Sequence, residues 1–380
     1  MTASLLAELV AIPSVSAQSN APVIDFAERL LGPRGWHLRR SAWRDAAGVE
    51  KFNLVVSSHA QADAELALVG HTDTVPPDPA WTDAFELLEH ADRLHGLGTT
   101  DMKGFLASCL ALFAALDPQS LAKPLMLVLT ADEEVGCLGA KRLAAERIIA
   151  PRRAIVGEPT SLRPVRAGKG YGLGRVEVRG REAHSAYPEQ GRSAILDAAP
   201  LLARLEALAA ELATERHAEY SPPYATLNVG TILGGRAKNI IPGSCEFQVE
   251  FRPVGGELPE RIRDRMAAAL EEVRAQRPGI DFTFEVPRLD AGFDTPSDRE
   301  LVAATAMVTG LSPGTVAFGT EAPQMAALGA EVVVCGPGDM RRAHRRDEFI
   351  TRPELAACDG FLLAIVGKYC GEIARSGIGD

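Results

Sequence analysis

Residues 125–134 read LMLVLTADEE, and this stretch decides the fold. Its first six residues form a short continuous apolar run, which is typical of a strand buried on both faces. Three acidic residues follow almost directly. Further apolar runs are Glu65–Gly70, Ala154–Gly157 and Glu331–Cys335, and helical patterns lie at Met102–Leu116 and Gly139–Ala150. This alternation predicts an α/β domain with a mostly parallel sheet and helices on both faces.

The middle of the chain has a different pattern. From Lys169 onward the predicted order is strand, helix, strand, strand, helix, strand, which is typical of a ferredoxin-like α+β unit. The predicted segments are Leu173–Gly180, Ser193–His217, Ala225–Leu233, Ser244–Arg252, Pro259–Arg277 and Asp281–Val286. We therefore expect residues 169–287 to form a domain inserted into a catalytic domain made of residues 1–168 and 288–380.

The composition narrows the classes of partner. The 380 residues include 40 basic and 50 acidic side chains, which gives a net charge of −10 without a long basic block. This argues against nucleic acid or an anionic membrane surface as the main partner. No apolar run approaches the ~18 residues that span a bilayer. Without a signal-like leader, and with six irregularly spaced cysteines that predict buried free thiols, we expect a cytoplasmic protein.

Histidines and acids follow the predicted strands. In open α/β sheets, ligands bind outside the carboxyl ends of the strands. Two histidines with four or five carboxylates and no cysteine suit Zn²⁺, Co²⁺ or Mn²⁺. The set is too large for one tetrahedral zinc and suits two metal ions about 3.5–4 Å apart that share a carboxylate, with a leftover acid as general base. Singly, each residue could be an ordinary turn or surface residue; the positions are His71, Asp73, Asp101, Asp132, Glu133, Glu134, Glu158 and His344.

These positions lie in a series of motifs that resembles the two-zinc aminoacylase/carboxypeptidase family over essentially the whole chain. The motifs begin with HTDTVP at 71–76, GTTDMKG at 98–104, TADEEVG at 130–136 and GEPT at 157–160. They continue with REAHS at 181–185, KNIIP at 238–242, FRP at 251–253, GTEAP at 319–323 and GPGDMRRAH at 336–344.

The resemblance implies a role for each residue of the metal motifs. Asp101 would bridge two metal ions. His71 and Glu158 would bind one ion, and Glu134 and His344 the other. Asp73 would accept the second ring N–H of His71 and fix its tautomer. Glu133 would be the general base that takes a proton from water and passes it to the leaving amine.

The resemblance also implies residues on the substrate side. His184 would stabilise the tetrahedral oxyanion, in family members often from the partner subunit of a dimer. Asn239 and Arg252 would hold the substrate carboxylate, and Lys169 and Glu321 are possible further contacts. Taken alone, His184 is more often a turn residue and Arg252 a surface strand residue.

The activity implied is metal-dependent removal of the acetyl group from an Nα-acetylated amino acid, with two Zn²⁺ or Co²⁺ ions. We expect N2-acetyl-L-ornithine as substrate, a step of arginine biosynthesis, and a homodimer formed through the inserted lid domain. N-acetylcitrulline, N-succinyl-diaminopimelate or a dipeptide are alternative substrates, and a catalytically silent metal-binding relative is the alternative of a different class. Gly168 precedes Lys169 where the family usually has a histidine, which leaves the recognised side chain open.

Overall fold

The computed structural model describes residues 1–371. The chain divides into a large unit, made of residues 1–166, 295–314 and 320 onward, and a small unit, made of Ala167–Asp294 and Thr315–Gly319. The main segment of the small unit begins two residues before the predicted insertion and ends seven residues after it. The short segment at 315–319 had no counterpart in the prediction.

The helices and the longer strands are numbered in chain order. The helices are α1 (Thr2–Val10), α2 (Ala21–Leu31), α3 (Gly104–Ala115), α4 (Leu138–Glu146), α5 (Ala194–Leu212), α6 (Glu260–Gln276), α7 (Glu300–Thr309), α8 (Ala322–Ala327) and α9 (Arg352–Cys370). The strands of six or more residues are β1 (His37–Arg44), β2 (Glu50–Ser57), β3 (Leu66–His71), β4 (Leu125–Thr130), β5 (Arg153–Pro159), β6 (Tyr171–Arg179), β7 (Thr226–Gly234), β8 (Ser244–Arg252), β9 (Asp281–Asp290) and β10 (Glu331–Gly336). Shorter strands are Asp63–Ala64, Leu88–His90, Arg93–His95, Ala150–Pro151, Val165–Gly168, Ala183–His184, Ile240–Ile241, Phe293–Asp294, Gly314–Val316 and Phe349–Thr351.

The sheet of the large unit contains the order β1-β2-β4-β3-β5-β10. Strands β4, β3, β5 and β10 run parallel to one another, whereas β2 pairs antiparallel with both β4 and β1. These four parallel strands are the four predicted apolar runs, and every residue of β3, β4 and β5 is buried. The α/β fold class is therefore confirmed. Because the four strands are parallel, their carboxyl ends lie at one edge of the sheet.

The helices that flank this sheet differ from the predictions at their ends. The helix predicted over Met102–Leu116 begins at Gly104, because Met102 lies in a preceding turn with non-helical φ and ψ. The helix predicted to reach Ala150 ends at Glu146, since Arg147 adopts a left-handed conformation (φ 48°) that terminates the helix. Ala150 instead pairs with Asp63 in a short parallel strand pair.

The small unit has a four-stranded antiparallel sheet in the order β7-β8-β6-β9. Apolar side chains of α5 and α6 share one buried core with this sheet. Helix α5 begins where the hydroxyl of Ser193 accepts a hydrogen bond from the Leu196 N–H (3.3 Å), a typical N-cap. This arrangement is the predicted ferredoxin-like order. Within residues 1–371, no helix is long and apolar enough to cross a membrane.

Candidate metal centre and active site

The centre of the site is the carboxylate of Asp101, which faces two histidines. Asp101 lies in the tight turn Thr99–Lys103 that precedes α3. Its Oδ1 lies 3.1 Å from Nε2 of His71, the last residue of β3, and its Oδ2 lies 3.3 Å from Nε2 of His344. One carboxylate thus presents one oxygen to each imidazole.

A second acid accompanies each imidazole. The Oε1 of Glu158, near the end of β5, lies 3.9 Å from Nε2 of His71. The Oε2 of Glu134, which follows β4, lies 3.1 Å from Nε2 of His344. The cluster therefore has two halves joined by Asp101, one with His71 and Glu158 and the other with Glu134 and His344.

The carboxylate of Asp73 holds the loop after β4. It accepts hydrogen bonds from the backbone N–H groups of Glu133 (3.1 Å) and Glu134 (3.3 Å) and from the Ser16 hydroxyl (2.8 Å). Its relation to His71 differs in detail from the expected one: Nδ1 of His71 is 2.9 Å from the backbone carbonyl of Asp73 and 3.6 Å from its carboxylate. Because an N–H at Nδ1 points to this carbonyl, Nε2 remains for the cluster.

The pKa values of the first half reflect crowded acids in a buried place. Burial alone would lower the pKa of His71, but hydrogen bonds with Asp101 and Asp73 and the charge of Glu158 raise it well above its usual value. Burial raises the pKa of Glu158 well above its usual value, and the charges of Asp101 and Glu133 add to the rise. The crowded acids therefore favour the protonated, positively charged form of His71, and they favour the protonated, neutral form of Glu158.

The second half is more exposed. Hydrogen bonds with Asp101 and Glu134 raise the pKa of His344 to about 10. The pKa of Asp101 is lowered, because its bonds with the two histidines outweigh its burial. Burial, with the charges of Glu134, Glu321 and Asp101, raises the pKa of Glu133 to about 8.

The donor set fits divalent cations. Ligand atoms of His71, Glu133 and Glu158, and likewise of His71, Asp101 and Glu134, lie within 4.8 Å of one another. The buried Oε1 of Glu158 accepts no hydrogen bond from any residue in the described part of the chain. Imidazole and carboxylate ligands without a thiolate suit zinc and similar ions, and a shared carboxylate suits a pair of them.

Glu321 lies at the start of α8 and is fully buried. Its Oε1 accepts a 2.5 Å hydrogen bond from the Thr130 hydroxyl at the end of β4, and its Oε2 has no partner among residues 1–371. Burial raises the pKa of Glu321 to about 7. The structure thus places Glu321 beside the strand end that leads to Glu133, where its charge acts on the pKa of that acid.

The other predicted substrate residues belong to the small unit. His184 is exposed, and its short strand pairs with Ile240–Ile241, which brings Asn239 next to it: the Ser185 N–H donates to the Asn239 carbonyl (3.1 Å). Arg252 donates to Glu250 (2.7 Å) and to the Ala317 carbonyl (2.9 Å). Within the small unit, His184 and Asn239 therefore lie on adjacent, hydrogen-bonded segments.

Lys169 is buried in the small unit. Its ammonium group donates to the backbone carbonyls of Pro222 (2.9 Å) and Tyr224 (2.6 Å). Burial, and then the charge of Arg252, lower the pKa of Lys169 to about 8. This proximity of Lys169 and Arg252 was not evident from their separation in sequence.

The residues that support the site were not predicted from the sequence. The buried carboxylate of Glu348 accepts three backbone hydrogen bonds from the turn that carries Asp101, from Gly98 (3.0 Å), Thr100 (2.8 Å) and Asp101 itself (3.1 Å). The Cys137 thiol donates to Glu133 Oε1 (3.4 Å). Lys51 binds Asp132, the residue before Glu133. The one signal in the sequence was Lys51, a charged residue directly before the largely apolar stretch FNLVV at 52–56.

A parallel sheet whose strand ends deliver this imidazole and carboxylate cluster defines a metal-dependent hydrolase. Residues 67–368 match the model of Peptidase family M20/M25/M40, and the chain belongs to this family. The predicted family resemblance and the predicted metal-dependent amide hydrolase are thereby confirmed.

Individual relatives match over nearly the whole chain. An acetylornithine deacetylase of Myxococcus xanthus is 49% identical over 369 residues, which cover 96% of this chain and 97% of that protein. One from Pectobacterium carotovorum subsp. carotovorum is 36% identical over 371 residues, 95% of this chain and 96% of that protein. An M20 family metallo-carboxypeptidase of Sulfolobus solfataricus, 18% identical, has the same fold with a TM-score of 0.77 over 97% of this chain and 99% of that one.

Proposed function

We propose that this protein removes the acetyl group from Nα-acetylated amino acids and that N2-acetyl-L-ornithine is its main substrate, a step of arginine biosynthesis. The observation that supports the proposed reaction best is the position of the Asp101 carboxylate between two histidines. One of its oxygens lies 3.1 Å from His71 and the other lies 3.3 Å from His344. The substrate rests on the curated relatives named acetylornithine deacetylase, one of them 49% identical.

The cofactor in this proposal is a pair of Zn²⁺ or Co²⁺ ions. Asp101 would bridge them, with His71 and Glu158 on one ion and Glu134 and His344 on the other. Such ions polarise an amide carbonyl and lower the pKa of a water. The buried oxygen of Glu158 has no hydrogen-bond partner among residues 1–371, and the pKa of His71 is raised. Both features support this assignment, since both indicate that positive charge is favoured here.

Glu133 is the proposed general base. Its carboxylate takes a proton from the attacking water while the water oxygen bonds to the carbonyl carbon. The carbon–nitrogen bond then breaks to leave acetate, and the same carboxyl gives the proton to the leaving amine. Two contacts support this role by fixing the residue: the backbone N–H is bonded to Asp73 (3.1 Å), and the carboxylate accepts from the Cys137 thiol (3.4 Å). Asp73 acts as a positioning residue for both Glu133 and Glu134.

The substrate contacts in this proposal come mainly from the small unit. His184 would stabilise the oxyanion, and Asn239 and Arg252 would bind the carboxylate of the substrate. Arg252 donates from Nε to Glu250 and from Nη1 to the Ala317 carbonyl, which fixes its planar guanidinium, and its remaining N–H groups would bind the substrate carboxylate. Lys169, with its ammonium on two carbonyls, is better suited to shape this region, while Glu321 offers a buried negative charge in the large unit.

We further propose a homodimer formed through the small unit, which would also act as a lid. Strand β7 is an edge strand, and Ile232 and Leu233 on it are 49% and 74% exposed. Ile195 and Leu196 at the start of α5 are also exposed, and Ile195 lies against Gly234 at the end of β7. An apolar patch beside an unpaired strand edge favours self-association. Analytical ultracentrifugation of the wild type and of Leu233→Asp tests this, and a monomeric wild type would contradict it.

The cytoplasmic location stays a prediction. The cysteines are free and buried, which suits a reducing compartment. Fractionation of cells that express the full chain tests it.

The deciding experiment is a hydrolysis panel with chelator-treated protein, with and without added Zn²⁺ or Co²⁺. Its substrates are N2-acetyl-L-ornithine, N-acetylcitrulline, N-succinyl-L,L-diaminopimelate and a dipeptide. Metal-dependent turnover that is fastest with acetylornithine is the expected result. Faster turnover of another substrate would overturn the substrate assignment and keep the reaction, and no turnover by metal-loaded protein would favour the catalytically silent alternative.

A further inference from the structure

Strand β2 carries a fully buried cation that the proposed reaction does not use. The side chain of Lys51 is 0% exposed, although its neighbours in the strand are mostly apolar. Its ammonium group donates to Asp132 Oδ1 (2.7 Å), to the Gln18 carbonyl (2.9 Å) and, closely, to the Ser16 carbonyl. Three acceptors satisfy all three donors of a lysine, so the direction of this side chain is fixed. A second acid, Asp45, lies 3.8 Å away.

The partners of Lys51 lead directly to the proposed base. Asp132 has a left-handed backbone (φ 59°) and immediately precedes Glu133. Asp73 binds the next two backbone N–H groups, and Asp73 in turn accepts from the hydroxyl of Ser16, whose carbonyl binds Lys51. A closed ring of covalent and hydrogen bonds thus passes through the backbone of the proposed base. Its members are Lys51, Asp132, Glu133, Asp73 and Ser16.

A second side chain on the same face of β2 holds both ends of the loop 131–139, which contains Glu133. Asn53, two residues after Lys51, accepts from the Ala131 N–H (3.2 Å) and donates to the Gly139 carbonyl (3.0 Å). Because side chains at i and i+2 of a strand point the same way, Lys51 and Asn53 lie side by side. Both ends of the loop 131–139 are therefore attached to one strand.

Stability alone is a poor reason for such a lysine. A buried ion pair contributes little net stability, because desolvation of both charges offsets their attraction, and an apolar pair of similar volume is often as stable. A charged, fully bonded contact does fix geometry, however, and a general base needs a fixed position: a shift of about 1 Å can reduce turnover about 100-fold.

We propose that Lys51 is a positioning residue for Glu133 and acts through Asp132. This assignment rests on the proposed role of Glu133. It adds a residue that the reaction requires and that lies outside the metal cluster. Lys51 does not reach the reacting atoms. It sets the backbone conformation of Asp132 and thereby the direction in which the next carboxylate points.

The test compares Lys51→Met, Asp132→Asn and the double variant in the metal-loaded full chain. We expect each single variant to lose about 100-fold in kcat, with KM changed less than about threefold. Because both residues act through one contact, we expect the double variant to lose no more than the worse single variant. Metal content is measured alongside, so that turnover is expressed per loaded enzyme.

The matched control is Arg153→Met. Arg153 is also a buried cation of the same sheet, paired with Glu65 and Glu300, but it lies at the opposite end of β5 from Glu158. We expect Lys51→Met and Arg153→Met both to lose thermal stability, because each leaves an acid without its cation, but only Arg153→Met to keep kcat. Hydrogen exchange of the Glu133 and Glu134 amides adds a readout independent of activity: exchange should quicken in Lys51→Met and Asp132→Asn and stay unchanged in Arg153→Met.

Each outcome decides a different point. If Lys51→Met keeps kcat within threefold and unchanged exchange at these amides, Lys51 has no positioning role and the inference fails. If Lys51→Met does not fold, Asp132→Asn, which keeps the size of the side chain, gives the same readouts and is judged by the same limits. If wild-type protein hydrolyses none of the panel substrates, the proposed function fails, whereas the exchange comparison still tests the attachment of the loop.

Discussion

Gly157 is the position where a single methyl group should damage both the fold and the metal centre. It lies in β5 directly before Glu158, and a Cβ placed there would be 2.0, 2.1 and 2.3 Å from three ring atoms of Phe105 in α3. Carbon atoms in contact are about 3.5–4.0 Å apart, so the ring or the strand must move by about 1.5 Å. Phe105 is fully buried. Excess volume in a packed core costs about 1–3 kcal/mol, and we expect Gly157→Ala to lose about 3 kcal/mol of the free energy of unfolding.

The same movement would displace Glu158, the proposed ligand next to Gly157. We therefore expect Gly157→Ala to bind zinc at least about 10-fold more weakly, the size of effect seen when the support of a metal ligand is lost. Urea unfolding of the metal-free protein gives the stability change, and competition with a chromogenic chelator gives the zinc affinity.

Two variants make this prediction strict. Gly367→Ala in α9 adds a methyl group where no atom beyond its chain neighbours and the nearby helix backbone lies within 4 Å, and since alanine favours helices we expect a gain of about 0.5–1 kcal/mol. Phe105→Leu combined with Gly157→Ala removes ring atoms from the overlap and should restore part of the zinc affinity. Wild-type unfolding and zinc binding in Gly157→Ala would refute the packing argument.

Three further predictions concern the site and its surroundings. Glu133→Gln should keep its zinc, as measured by metal analysis, and lose nearly all turnover; substantial residual activity would remove Glu133 as the base. Asp101→Ala should lose metal as well as activity, because both halves of the cluster share this carboxylate. If metal analysis found the full metal content in this variant, Asp101 would not be a bridging ligand. The pKa of Lys169 is lowered to about 8 in the folded protein. Between this pH and the usual pKa of a lysine, the unfolded chain binds more protons than the folded one, so the free energy of unfolding should rise with pH. Urea unfolding of wild type and Lys169→Met at pH 7.5 and 9.5 should show this rise in the wild type relative to the variant, and equal pH dependence would contradict it.

The central sheet was predictable because its physical environment leaves a pattern in the sequence. A strand covered on both faces needs apolar residues at every position, and β3, β4, β5 and β10 all show such a run. Parallel strands end at one edge, so residues that follow separate runs could be expected to converge. His71 and Glu158 do converge, although 87 positions separate them in the chain.

The supporting contacts could not be predicted, for a physical reason. Glu348 accepts from three backbone N–H groups, and Lys51 donates to two backbone carbonyls besides Asp132. Backbone groups are the same for every residue type, so such a contact leaves no complementary side chain to recognise in the sequence. The end of α4 was misjudged on similar grounds, because the left-handed conformation of Arg147 has no signature in its residue type.

These supporting contacts have a common electrostatic logic. Three of the proposed ligands, Asp101, Glu134 and Glu158, are acids, and acids that folding brings together repel one another. Asp73 receives two backbone N–H groups from the loop that bears Glu133 and Glu134, and Glu348 receives three from the turn that bears Asp101. Each of these carboxylates holds the backbone of a neighbouring acid, so the directions of the ligand side chains are fixed through the backbone while their oxygens face the histidines of the cluster. Hydrogen bonds made directly to the ligand oxygens would have stabilised the same charges, but at the expense of the atoms that must bind the metal.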